Sequence, residues 1–273
     1  MPELPEVEAV RLELDPVFTR YRIDDVEVRR ADLRDRFPRR FRARLFGQTV
    51  EAFRRRAKYL LATLTSDETL VMHLGMSGWL NVSPPGTDAP EPAKHDHVIF
   101  HMSSGAVIAF NDPRRFGLMT LLTPTRLASH PVLSTLGPEP LSDDFDAAAL
   151  ARACRGRKTP LKIALLDQRI VAGLGNIYAA EALHVAALSP MRAAGTIARV
   201  TGEPRESAYR LVDAIKQVLT RAVARQISER YRSDRFRVYD RESEPCLRPD
   251  CGGTIRRRTQ GGRSTFYCPR CQR

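Results

Sequence analysis

The first eight residues, Met1-Pro2-Glu3-Leu4-Pro5-Glu6-Val7-Glu8, place a prospective secondary amine beside several carboxylates. Methionine removal is favoured when the next residue is small, so Pro2 is expected to become the mature N-terminus. An α-amino group titrates near ~8, against ~10.4 for a lysine side chain, so a useful share of it is neutral at working pH. Such an amine can attack a sugar's electrophilic carbon and form a Schiff base, chemistry otherwise typical of lysine. Of Glu3 and Glu6, one can donate or accept the proton while the other orients water or main chain. The same residues suit a helix start, with Pro2 and Pro5 pre-setting its first turn and Glu3, Glu6 and Glu8 favoured by its dipole. The two readings are compatible.

The most specific local signal is Cys246-x₄-Cys251 followed, after 16 residues, by Cys268-x₂-Cys271. Four thiolates on two knuckles, joined by an arm long enough for a β-hairpin, match one tetrahedral structural zinc ion. Four protein ligands leave no open position, so the metal holds a fold rather than performs chemistry. Gly252-Gly253 and Gly261-Gly262 supply turns, and Arg256, Arg257, Arg258 and Arg263 lie on the arm. A zinc-pinned hairpin bearing arginines is suited to touching DNA. Cys154, amid Ala and Arg, reads as a small buried side chain with no role.

Four further stretches carry weaker signals. Gly173-Leu174-Gly175-Asn176 leads into an Ala-rich helix, where two glycines let backbone approach a ligand and Asn176 stands where free N–H groups could face a phosphate. A glycine-rich turn capping a helix explains the same residues. Met72–Gly78 and Asp112–Gly117 each put a long or aromatic side chain beside glycine after a strand. Met76, Arg114 and Phe116 could therefore protrude as wedges that unstack a base step, or Met76 and Phe116 could pack in the core. His95 and His97 could share a strand face, but no carboxylate or third histidine is well placed beside them. The stretch Lys94–His97 reads as polar strand surface.

These residues need scaffolds, and 273 residues are long enough for two domains with their own cores. Short runs at Ile23–Val28, Gln48–Arg54, Tyr59–Leu64, Thr69–Leu74, His97–Met102 and Ala106–Asn111 predict an all-β sandwich behind an N-terminal helix over Glu3–Val17. Asn81–Pro92, rich in proline, predicts an exposed loop. The texture changes at Leu136–Leu141, after which Asp144–Arg155, Pro160–Leu166, Asn176–Ala187 and Pro204–Arg225 read as helices. The net charge is +12, unevenly spread: Arg20–Lys58 holds 14 basic and 6 acidic residues, and Arg205–Arg273 holds 17 and 8. Two basic regions around a mildly acidic remainder suit a grip on a polyanion. The acidic first residues do not form a signal peptide, and no run approaches ~18 apolar residues, so a cytosolic protein without membrane contact is expected.

All these stretches occur together and in order in the formamidopyrimidine-DNA glycosylase family, which the sequence resembles over nearly its whole length. The motifs are Pro2–Glu8, Arg56–Leu60, His73–Gly78, Lys94–His97, Asp112–Gly117, Leu136–Leu141, Gly173–Tyr178 and the C-terminal cysteines. The resemblance implies an α+β multidomain chain: an N-terminal catalytic β-sandwich domain with a helix over 1–135, a helix–two-turn–helix domain over 142–232, and a zinc-finger β-hairpin over 236–273. Double-stranded DNA with oxidised bases or abasic sites would lie in the cleft between domains. It also implies a monomeric bacterial enzyme, cytoplasmic and nucleoid-associated, that removes oxidised purines and nicks the abasic site by β/δ-elimination.

Carried over by resemblance, Pro2 is the nucleophile, Glu3 the acid that helps open the deoxyribose ring, and Glu6 a supporting carboxylate. Lys58 matches a lysine that contacts phosphate beside the lesion and is counted with the catalytic residues. Met76, Arg114 and Phe116 match a void-filling triad, with Arg114 facing the orphaned base. Asn176 and Arg263 match phosphate-binding residues, and His73 and His95 are expected to contact DNA. The chain departs from the pattern twice. Its first zinc knuckle has four intervening residues, Leu247–Asp250, where two are usual. In addition, Ile227–Arg237 fills a gap where 8-oxoguanine enzymes usually carry a long Gly-rich loop. The competing readings are an endonuclease VIII-like enzyme for oxidised pyrimidines and a non-catalytic DNA-binding protein. Leu4, Val7-Glu8 and the full triad favour the purine branch, and Pro2, Glu3 and Lys58 favour an enzyme.

Overall fold

In the computed structural model, which describes residues 2–228 and 236–273, the chain forms two compact units, 1–135 and 136–273. Unit 1 begins with α1 (Leu4–Phe18), whose residues Leu4, Val7, Val10, Leu14 and Phe18 recur at three- and four-residue spacing and are all buried. The strands are β1 (Ile23–Val28), β2 (Val50–Arg56), β3 (Tyr59–Leu64), β4 (Thr69–His73), β5 (Trp79–Ser83), β6 (Asp96–Met102), β7 (Val107–Asn111) and β8 (Leu118–Leu122). They make two antiparallel four-stranded sheets, ordered β1-β6-β7-β5 and β2-β3-β4-β8. Both sheets and α1 feed one core. Phe18, at the end of α1, stands edge-on to Phe53 of one sheet and Phe100 of the other, at centroid distances of 5.2 and 6.2 Å. Truncating such a side chain costs ~3–5 kcal/mol, so Phe18 fastens the helix to the strands behind it.

The expected sandwich needs local correction. Strands β5 and β8 were not anticipated, and Asn81–Ser83, expected in a loop, belongs to β5 with the exposed stretch starting at Pro84. The short helix α2 (Phe41–Leu45) adds Phe41 and Leu45 to the core of unit 1, whereas α3 (Pro124–Ala128) buries none of its residues.

Unit 2 holds α4 (Ala147–Cys154), α5 (Leu161–Leu165), α6 (Asn176–Val185) and α7 (Glu206–Ser228), then the hairpin β9 (Arg256–Gln260) and β10 (Arg263–Tyr267). Asp146 caps α4 by accepting the Ala149 N–H at 2.6 Å. Small side chains let α6 be buried from Ile177 to His184. Gly261 and Gly262 both sit at positive φ, 55° and 71°, the demand of a two-residue hairpin turn. Cys154 is fully buried, and burial pushes its thiol up to about 11, in keeping with a packing role. Among the described residues, no helix is long and apolar enough to cross a membrane.

Candidate active site and metal centre

The head of α1 brings acids to the main chain beside Pro2. Glu3 is the N-cap, and Glu6 accepts the Glu3 N–H at 2.8 Å, the return half of a capping box. Both carboxylates are buried, at 2 and 5 % exposure, while Pro2 is half-buried. The Glu3 carboxyl is thus little hydrated and one residue from Pro2. Further along α1, Glu8 accepts from Arg55 Nε at 2.8 Å, and Arg55 Nη1 donates to the Ala57 carbonyl at 2.9 Å. Ala57 stands at φ 52°, so this bridge ties α1 to the tight β2–β3 turn that carries Lys58. The next residue, Tyr59, packs its ring 4.8 Å from that of His73. His73 Nδ1 accepts the Gly75 N–H at 3.0 Å. Burial, and then the charges of Lys58 and Arg34, push His73 down to about 4, so its ring is neutral at working pH.

Two turns of unit 1 are locked together. The Asp112 carboxylate, fully buried, accepts from Ser77 Oγ at 2.6 Å and from the Gly117 N–H at 2.7 Å. Ser77 Oγ in turn accepts the Arg114 N–H at 3.1 Å. Gly75 sits at φ 64°, where a Cβ would lie 2.3 Å from the Phe116 carbonyl carbon, so the two turns touch through backbone. Met76 and Phe116 are consequently exposed, at 41 and 43 %, with the Arg114 guanidinium 4.9 Å over the Phe116 ring. The core-packing alternative for Met76 and Phe116 is therefore excluded.

The Lys94–His97 stretch is not the polar surface expected of it. Asp96 and His97 are buried, the former bonded to the Ala93 N–H and Asn111 Nδ2, the latter to the Asp112 carbonyl at 2.9 Å. The β6–β7 register, with Asn111 opposite Asp96, turns these polar groups inward, where they bond to the Asp112 turn and its neighbours. His95 is half-buried, its ring edge-on to His97 at 6.4 Å and its carbonyl accepting the Asp112 N–H.

In unit 2, Gly175 caps α6 and Asn176 is its first residue. Asn176 Nδ2 donates to the Ser264 carbonyl at 3.1 Å, and its Oδ1 is buried without a protein partner. Lys162, fully buried, donates to the same carbonyl at 2.9 Å and to Thr265 Oγ1 at 2.7 Å. These bonds seat β10 against α5 and α6 and leave Arg263, the strand's first residue, exposed. Glu181 of α6 accepts the N–H groups of Arg237, Val238 and Tyr239, all at 2.8–2.9 Å, fixing the entry to the hairpin. Sequence reasoning missed Lys162 and Glu181 as organisers. The available signal was a single charged residue within each apolar helix.

The four cysteine Sγ atoms lie within 4.8 Å of one another, with 3.8 Å between Cys246 and Cys271 and 3.6 Å between Cys251 and Cys268. A tetrahedral site with ~2.3 Å zinc–sulfur bonds requires sulfurs roughly 3.8 Å apart, so the residues fit the ion. Gly253 leaves the room: a Cβ there would lie 2.6 Å from Cys268 Sγ. Burial and then the neighbouring thiols push Cys271 up to about 12, while hydrogen bonds from the Cys271 and Arg270 main chain help hold Cys268 below the ordinary thiol value.

Comparison with known proteins places the chain in a lineage. Three family models cover the chain: the formamidopyrimidine-DNA glycosylase N-terminal domain over residues 1–119, the formamidopyrimidine-DNA glycosylase H2TH domain over 136–232, and a zinc finger found in FPG and IleRS over 243–273. A formamidopyrimidine-DNA glycosylase of Rhodopseudomonas palustris (strain BisA53) is 54% identical over 293 aligned positions, with both chains covered completely. A solved complex of Lactococcus lactis Fpg with DNA containing an abasic site matches with a TM-score of 0.86 at 31% identity, over 100% of each chain. The L. lactis enzyme with DNA containing FAPY-dG matches with 0.83 at 31% identity, over 99% of this chain and 100% of that one. With models spanning most of its length and a relative matched end to end, the chain belongs to the formamidopyrimidine-DNA glycosylase family.

Proposed function

We propose that the chain is a base-excision repair enzyme that removes oxidised purines, formamidopyrimidines and 8-oxoguanine among them, from duplex DNA and then nicks the abasic site. The observation that carries this reading is the head of α1, where buried Glu3 adjoins Pro2 in a chain matched to the family from end to end. After removal of Met1, the Pro2 nitrogen attacks the sugar's anomeric carbon while the bond to the base breaks. Glu3 protonates the ring oxygen, the ring opens, and an iminium joins Pro2 to the sugar. Loss of the neighbouring C2′ proton expels the 3′ phosphate, a second elimination expels the 5′ phosphate, and hydrolysis frees the amine. Glu6, bonded to the Glu3 main chain, keeps that acid in place.

The base must leave the stack first, at a cost of a few kcal/mol. Met76, Arg114 and Phe116, which stand out from the locked turns, fill the space it vacates, and Arg114 faces the widowed base. Lys58, His73, His95, Asn176 and Arg263 hold the backbone, work that phosphate contacts do without reading sequence. Bound zinc holds the finger in the shape that presents Arg263. Residues 1–135 form the catalytic domain, 142–232 the helix–two-turn–helix domain and 236–273 the finger, and the enzyme works on the chromosome in the bacterial cytoplasm. The test is a glycosylase assay on otherwise identical duplexes carrying formamidopyrimidine, 8-oxoguanine or thymine glycol. Release of the two purine lesions ahead of thymine glycol is expected, and thymine glycol released fastest would overturn the assignment.

A further inference from the structure

The first knuckle has four residues, Leu247–Asp250, between its cysteines, and the activity does not explain what they do. Its turn closes through the Cys251 N–H to the Arg248 carbonyl at 3.2 Å, with Asp250 at φ 57°. The turn aims a side chain back at the helix beneath it. Arg248 Nη2 donates to the His184 and Val185 carbonyls at 2.5 and 3.2 Å. These are the last residues of α6, at the negative end of its dipole, where the His184 carbonyl also accepts the Ala187 N–H at 3.1 Å.

The same helix end reaches toward the knuckle in return. The His184 ring is fully buried and brings Nε2 within 3.3 Å of Cys246 Sγ. Its Nδ1 is buried without a hydrogen-bond partner, so the one proton of a neutral ring belongs on Nε2, as a donor to sulfur. The two elements are thus joined twice in opposite senses, Arg248 donating to the helix and His184 donating to the knuckle. Ala180, one turn back on α6, already lies in the finger's small core with Phe266 and Cys268.

We propose that His184 and Arg248 are positioning residues for the metal centre, a latch through which the first knuckle seats the finger on α6 and retains its zinc. Four thiolates around one divalent ion leave a formal charge of about −2, and an N–H donor to Cys246 offsets part of it. Because α6 begins at Asn176 and β10 begins at Arg263, the latch also fixes the register between those two residues. The proposal rests on the zinc assignment.

Full-length protein loaded with one zinc ion is challenged with excess EDTA and the release rate measured. His184→Leu removes the donor at little change in volume, and Arg248→Met removes the clamp. Each is expected to release zinc about 10-fold faster or more, the scale of a lost outer-shell partner. In cobalt-substituted protein, the thiolate-to-metal charge-transfer band should shift in His184→Leu and return toward wild type in His184→Gln, which keeps an N–H donor. Release rates equal to wild type in both variants, or an unmoved cobalt band, overturn the latch. Should His184→Leu fail to fold, Arg248→Met decides by its release rate alone. A wild-type chain without stoichiometric zinc overturns the metal site and the latch together, whereas normal zinc in wild type with unchanged variants overturns only the latch.

Discussion

The Asp112 carboxylate holds the Ser77 hydroxyl at 2.6 Å from across 35 residues of chain, and that bond joins the turn of Met76 to the turn of Arg114 and Phe116. The side chains of Met76, Arg114 and Phe116 are therefore held as one preset group rather than three independent ones. Asp112→Asn replaces one acceptor oxygen by a donor that faces either Ser77 Oγ or the Gly117 N–H. Stability is expected to fall by ~1–3 kcal/mol, the cost of an unsatisfied buried group. Affinity for lesion-containing duplex should fall as well, with zinc content unchanged. Urea denaturation and fluorescence-anisotropy titration check this, and a variant equal to wild type in both would separate the lock from these side chains.

His73 gives a pH dependence with a definite sign. Its folded pKa, about 4, lies below the ordinary 6.5, because burial and the charges of Lys58 and Arg34 disfavour the imidazolium. Between those values the unfolded chain takes up a proton that the folded chain refuses. The contribution is thus intact above pH 6.5 and lost as pH falls toward 4. His73→Asn keeps an acceptor for the Gly75 N–H without titrating. The variant's urea midpoint should decline less than that of wild type across this window, and equal slopes would contradict the assignment.

Cys268→Ser leaves three thiolates in a site built for four. Stoichiometric zinc should be lost, and DNA binding should weaken with it because the finger no longer presents Arg263. Metal analysis alongside binding measures both, and wild-type protein that binds DNA normally after complete zinc removal would refute the link.

Lesion preference is expected to depart from that of long-loop relatives. The segment Ile227–Arg237 has no glycine, and its arginines 230, 232, 235 and 237 suit phosphate better than base edges. Residues 229–235 lie outside the described residues, so this expectation rests on sequence. Single-turnover rates should discriminate between the two purine lesions less than in long-loop relatives, with formamidopyrimidines still cleaved and 8-oxoguanine favoured less. A large preference for 8-oxoguanine, lost when the segment is mutated, would show that the short segment reads the base.

Much of this was legible in residue order where the signal is local. The capping residues of α1, the paired cysteines and the Gly261-Gly262 turn each act within a few positions. The misses are long-range. Strand β8 is an apolar run without alternation, made a strand by its pairing with β4. Asp96 and His97 look like surface until the β6–β7 register turns them toward Asn111 and Asp112. The exposure of Met76 and Phe116 depends on the Ser77–Asp112 bond, and the Lys162–Ser264 bond spans 102 residues.

The central claim is that Pro2 is the nucleophile, and borohydride trapping on abasic-site duplex tests it most directly. Wild-type protein should form a covalent adduct that peptide mapping assigns to Pro2. Pro2→Gly should keep lesion-DNA binding largely intact while trapping falls by at least about an order of magnitude, a loss of some 1.4 kcal/mol or more in the covalent step. Undiminished trapping in Pro2→Gly, with the adduct mapped to a lysine such as Lys58, would contradict the account.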